Sequence, residues 1–153
     1  MPALRPHPLS IVPFNATCLL GELSLKLTTV KPHILFVDDE PPVREMLALY
    51  FRKRNFDVTT AVTIKEVLDS LDKGHYDAAI LDINLAEENG LELLGTIRKK
   101  HEKLPVIMFT AMGDDQELLD RAMAAGANGF MCKTQTLETL FNEVCRHLPK
   151  PAA

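Results

Sequence analysis

Asp38 and Asp39 follow the apolar run HILFV (33–37), and Asp82 follows YDAAIL (76–81). Thr110 follows LPVIMF (104–109), and Lys133 follows GFMC (129–132). Each polar group stands directly after a stretch with the length and composition of a buried strand. Laid side by side in one direction, these stretches bring three carboxylates, a hydroxyl and an ammonium to one edge. Packed carboxylates repel, and each resists ionisation beside the others. A hard divalent cation relieves this, and Mg²⁺ favours a few carboxylates with retained waters. The Lys and Thr are then suited to hold the oxygens of an anion next to the metal. Carboxylate nucleophiles that accept a phosphoryl group work in such surroundings.

The segments between the runs read as helices that set this parallel arrangement. Pro41-Pro42 opens a helix, with Val43, Leu47, Tyr50 and Phe51 as its core-facing stripe. Asn55 suits a left-handed cap before a second strand, FDVTTAV (56–62). Thr63 and Glu66 form a capping box for a helix ended by Gly74. NLAEENG reads as a loop before a helix over 91–100, and Asp114-Asp115 starts a helix ended by Gly126. Leu137, Leu140, Phe141, Val144 and Leu148 mark a last helix before Pro149. Strand and helix alternate throughout, so the expected fold is α/β, a doubly wound five-stranded parallel sheet with helices on both faces. Ligands of such sheets sit outside the carboxyl ends of the strands.

Composition agrees with one ordinary domain: 153 residues, 46% apolar and 25% charged, with a net charge of −4. The acidic balance argues against unaided binding to a nucleic-acid backbone. Cys18, Cys132 and Cys145 form no CxxC pair, which points to a reducing, cytoplasmic setting. Residues 1–31 carry Pro2, Pro6, Pro8 and Pro13 and join no strand–helix series, so they are expected to be a flexible N-terminal extension. Residues 32–149 would be the domain and 150–153 a tail. No stretch approaches the ~18 apolar residues of a membrane span. GxGxxG, P-loop and GxSxG patterns are absent, and the five histidines lack zinc-like spacing.

HILFVDDEPPVREML, AAILDINLAEENGLELL, PVIMFTAM and AGANGFMCK together resemble the receiver domain of bacterial two-component response regulators. That likeness implies a flavodoxin-like fold, with Asp82 as the phospho-accepting aspartate. It implies Mg²⁺ held by Asp38, Asp39, Asp82 and the backbone carbonyl of Asn84. It also implies Thr110 as switch hydroxyl, Phe130 as switch aromatic and Lys133 as the partner of the phosphoryl group. The implied donor is a sensor histidine kinase or a histidine phosphotransfer protein. The implied output is a changed face of the fourth helix, fifth strand and fifth helix that meets a protein, with no nucleic acid and no membrane.

Two positions depart from the family pattern. Thr134 follows the lysine where a cis proline is usual, and Ala86 stands four residues after Asp82 where proline is usual. A phosphorylation-independent adaptor is therefore the alternative reading, and an acid-pocket phosphatase a further one; the expectation is not an enzyme. The chain stops at Ala153, so a stand-alone receiver is expected. Cys132 and Cys145 read as small buried residues. Glu87-Glu88 and Arg98-Lys99-Lys100 read as solvated charge flanking a helix.

Overall fold

The structure is a computed structural model, and it describes residues 30–150. Residues 1–29 and 151–153 lie outside the described residues, and with them nearly all of the expected extension and most of the tail.

Five strands form one parallel sheet: β1 (His33–Val37), β2 (Asp57–Ala61), β3 (Ala78–Leu81), β6 (Val106–Thr110) and β7 (Gly129–Cys132). Their order is β2-β1-β3-β6-β7, with every neighbouring pair parallel. The chain thus winds outward in one direction from β1 and then in the other from β3. The crevice between these two strands is the place where open α/β sheets bind ligands. β1, β3 and β6 are nearly solid apolar runs because both of their faces are covered.

Five helices supply the cover: α1 (Pro41–Arg52), α2 (Ile64–Lys73), α3 (Gly90–Lys100), α4 (Gln116–Ala124) and α5 (Leu137–His147). Alternation along the strands divides the core in two. Leu35, Val37, Leu81, Val106 and Met108 meet Val67 and Leu71 of α2, Leu93, Leu94 and Ile97 of α3, and Leu118 and Ala122 of α4. Ile34, Phe36, Ile80, Ile107 and Phe109 meet Leu47 and Phe51 of α1 and Leu140 and Val144 of α5. Two helices therefore lie on one face and three on the other. The expected flavodoxin-like fold is the observed one.

Local signals act as expected at most ends. Pro41 and Pro42 fill the first positions of α1, where a missing N–H costs nothing. Asn55 turns the chain into β2 with φ +68°. Thr63 accepts the Glu66 N–H, while Glu66 reaches back one residue further than a standard capping box, to the Val62 N–H.

The main difference lies after β3. Residues 84–89 are not a plain loop but a small antiparallel hairpin, β4 (Asn84–Leu85) and β5 (Glu88–Asn89). The sequence hides it because its turn carries Ala86, at φ +32°, in place of the Asn-Gly or Gly pattern such turns favour.

Candidate functional site

Sheet register brings the site together. Val37 pairs with Leu81 across β1 and β3, so the next residues, Asp38 and Asp82, emerge side by side. The Asp82 N–H donates to the Val37 carbonyl at 2.9 Å and extends the ladder by one step. On the other side Thr110 pairs with Cys132, and the Lys133 N–H donates to the Thr110 carbonyl at 2.7 Å. Among the described residues the buried polar side chains are Asp38, Asp82 and Thr110, at 0%, 3% and 0% exposure. All three stand at this edge. Burying carboxylates is costly unless they are compensated, so the burial itself marks the site.

Lys133 provides the compensation. Its Nζ lies 2.8 Å from Asp82 Oδ2, 2.7 Å from Asp38 Oδ2 and 3.3 Å from Glu40 Oε1. Burial pulls the ammonium down, but hydrogen bonding and charge from Asp38 and Asp82 outweigh it, and its pKa rises. Burial pushes the Asp82 carboxyl above the usual carboxylate range, and the pull of Lys133 recovers only part of this.

Asp38, Asp39, Glu40 and Asp82 each offer a carboxylate oxygen, and these oxygens all lie within 4.8 Å of one another. Asp38 Oδ2 is buried and has no aligned hydrogen bond; only the ion pair with Lys133 faces it. A set of hard oxygen donors gathered this closely fits Mg²⁺. Glu40 is the member that the sequence reading missed. Its only signal was its place as the third acid of the run DDE.

Asn84 starts β4, and its N–H donates to Asp82 Oδ1 at 3.2 Å. Its side-chain amide reaches Met112 Sδ at 3.6 Å, across the top of the crevice. Asp39 Oδ2 accepts the Ala86 N–H at 3.1 Å, so the hairpin is tied to the acidic pair. Gly90 closes the hairpin, and a Cβ there would collide with the Asp82 carbonyl and the Ile83 backbone. Only glycine lets the chain return this close beneath the aspartate.

The Thr110 hydroxyl accepts the Met112 N–H at 3.2 Å, within the loop that leads to α4. Phe130 lies opposite Met108 on β7, half-buried, with its ring against the core layer of α2, α3 and α4. It borders a groove of about 560 Å³ between α4 and α5, with Leu119, Met123, Thr139 and Glu143. A hollow of about 640 Å³ lies at the opposite edge, lined by Tyr76, His101 and Pro105 among others, and holds none of the site residues.

Several expectations need correction. Cys145 is exposed, because it sits one residue past Val144 and turns away from the buried stripe of α5. Cys132 is half-buried at the end of an edge strand, where the Thr134 hydroxyl donates to its sulfur at 3.0 Å and lowers its pKa. Glu88 is not simply solvated; its Oε2 accepts the Ile64 N–H at 2.6 Å. Arg98 is likewise engaged, donating to the carbonyls of Gly126, His101 and Leu104 and to Asn128 Oδ1. No peptide bond among the described residues is cis, so Thr134 follows Lys133 through a trans bond.

An open parallel sheet with acids at its switch point and a lysine reaching across them defines a receiver-type module. The response regulator receiver domain family model matches residues 34–145, and the chain belongs to that family. Phosphorylation and Mg²⁺ binding at an acidic pocket are characteristic of it. The chain is 34% identical over 106 residues to the response regulator protein PilR of Pseudomonas aeruginosa, covering 69% of this chain and 24% of that protein. It is 36% identical over 100 residues to the regulatory protein VanR of Enterococcus faecium, covering 65% of this chain and 42% of that one. The chain thus spans less than half the length of these curated relatives.

Among solved structures, the response regulator TrrA of Thermotoga maritima in complex with Mg²⁺-BeF superposes with a TM-score of 0.69 at 33% identity, covering 76% of this chain and 99% of that one. A putative response regulator of Chloroflexus aurantiacus gives a TM-score of 0.73 at 31% identity, covering 79% and 100%. No helix of the described residues is long and apolar enough to cross a membrane.

Proposed function

We propose that this protein accepts a phosphoryl group on Asp82 from a histidine kinase or a histidine phosphotransfer protein, and signals by changed protein–protein contacts. The carrying observation is the buried pair Asp82 and Asp38, with Lys133 Nζ within 2.8 Å of both carboxylates. An Asp82 oxygen forms a bond to phosphorus as the phosphorus–nitrogen bond of a phosphohistidine breaks. The electron pair stays on the imidazole nitrogen. Lys133 is already in place to pair with the incoming oxygens, so little reorganisation is needed as charge shifts.

Asp38, Asp39, Asp82 and the carbonyl of Asn84 would hold Mg²⁺. The ion would supply charge compensation for the phosphoryl oxygens. In this reading Thr110 releases the Met112 N–H to donate its hydroxyl to a phosphoryl oxygen, and Phe130 turns inward as the α4 loop moves. The face of α4, β7 and α5 then differs between two states, which a partner protein distinguishes.

The proposed output is protein–protein contact in the cytoplasm, without nucleic acid, membrane or catalytic turnover. Residues 32–149 act as the signalling domain. Supporting the absence of nucleic acid, residues 32–153 carry 14 basic against 20 acidic side chains. Incubation with acetyl phosphate and Mg²⁺, followed by intact mass, tests the acceptor. Wild type gains one phosphoryl group and Asp82→Asn gains none. Absence of any gain in wild type would leave the phosphorylation-independent adaptor, and steady hydrolysis of small phosphoesters would indicate the phosphatase.

A further inference from the structure

We propose that Glu88 is a positioning residue for Asp39, acting through the β4–β5 hairpin; this rests on the reading of Asp39 as a metal ligand. Lys133 pairs with Asp38, Glu40 and Asp82, and Asp39 has a different support. Asp39 Oδ2 is held by the backbone N–H of Ala86 at the hairpin tip. A backbone donor is only as fixed as the segment that carries it. This segment has two residue pairs, Asn84 with Asn89 and Leu85 with Glu88, too few to be stable alone.

Leu85 seats the hairpin in the core beside its tip, and Glu88 anchors it on the far side. The Glu88 carboxylate accepts the Ile64 N–H at 2.6 Å, one of the amides that the first turn of α2 leaves unpaired. The helix dipole adds to this attraction. Asp39, Ala86, Glu88 and Ile64 therefore form one continuous line from the acidic cluster to the start of α2. With the anchor cut, the tip and its N–H move, and Asp39 must be ordered when the ion binds. Conversely, an ion that draws Asp39 reaches the Ile64 amide through the same line.

The test is a Mg²⁺ titration of the full chain followed by amide chemical shifts, on wild type, Glu88→Ala, Glu88→Asp and Glu88→Gln. Glu88→Ala weakens Mg²⁺ binding by about 10-fold, the low end of losses around metal ligands. Glu88→Gln stays within about twofold, because its amide oxygen still accepts the Ile64 N–H. Glu88→Asp keeps the charge but loses the reach, and behaves like alanine. In wild type the Ile64 amide shifts with Mg²⁺, and in the alanine and aspartate variants it does not. Equal affinity of wild type and Glu88→Ala would overturn the proposal. So would a Gln variant as weak as Ala beside an Asp variant like wild type, since charge alone then explains the effect. Absence of Mg²⁺ binding in wild type would sink the metal reading and this inference with it. Intact Mg²⁺ binding without labelling of Asp82 would count against the acceptor role alone.

Discussion

Lys133 Nζ stands 2.7 Å from Asp38 Oδ2, a buried oxygen with no aligned hydrogen bond. Its second contact, 2.8 Å to Asp82 Oδ2, reaches the proposed phosphoryl acceptor. One lysine thus supplies the counter-charge for two buried carboxylates side by side.

Replacing it by an apolar side chain of similar length exposes this dependence. Lys133→Met leaves Asp38 and Asp82 buried without their counter-charge, a loss of about 3 kcal/mol by the usual cost of halving a buried pair. In the absence of Mg²⁺ its melting temperature falls below that of wild type. Added Mg²⁺ then restores more stability to the variant than to wild type, because the ion takes over the missing charge. Melting curves at several Mg²⁺ concentrations check both statements; an equal Mg²⁺ increment in the two proteins would refute the second.

Thr110 and Phe130 should respond as one unit. Thr110→Ala still accepts phosphate at Asp82, since Lys133 and the acidic cluster are untouched. It loses the chemical-shift changes at α4 and β7 that a phosphoryl mimic causes in wild type. A methyl group cannot donate to the phosphoryl oxygen, so the loop gains no differential contact in the phosphorylated state. A full wild-type shift pattern around Phe130 in the variant would show that the signal leaves by another route.

Arg98 joins three segments by one planar side chain: the end of α3, the entry to β6 and the α4–β7 turn. Its nearest partners are Leu104 O and Asn128 Oδ1 at 2.6 Å and Gly126 O at 2.8 Å. Gly126 has φ +104°, and a Cβ there would press on the Arg98 side chain. Arg98→Ala therefore costs about 2 kcal/mol, mostly from carbonyls left without a donor. Arg98→Lys does not recover it, because an ammonium lacks the fork that spans these acceptors. Urea denaturation measures the difference, and a lysine variant as stable as wild type would contradict the role of the fork.

The sequence by itself determined the strand–helix order, the two-sided burial of the central strands and the identities at their carboxyl ends. These features are local: apolar runs, prolines at a helix start, Thr63 before Glu66, and the acids of 38, 39 and 82 each sit within a few residues of their cause. Parallel pairing follows from the helical crossovers between successive strands, which is why the sequence alone assigns Asp38, Asp82, Thr110 and Lys133 to one edge.

Only the tertiary structure decided what depends on direction and distance between remote segments. It put Glu40 into the acidic cluster, turned Cys145 out to solvent and gave Arg98 its carbonyls. It also folded 84–89 into a hairpin that holds Asp39 on one side and the start of α2 on the other. Apart from Cys145, these rest on hydrogen bonds or ion pairs set by side-chain reach, which no periodicity marks. Side-chain reach in three dimensions sets such contacts, and spacing along the chain does not encode it.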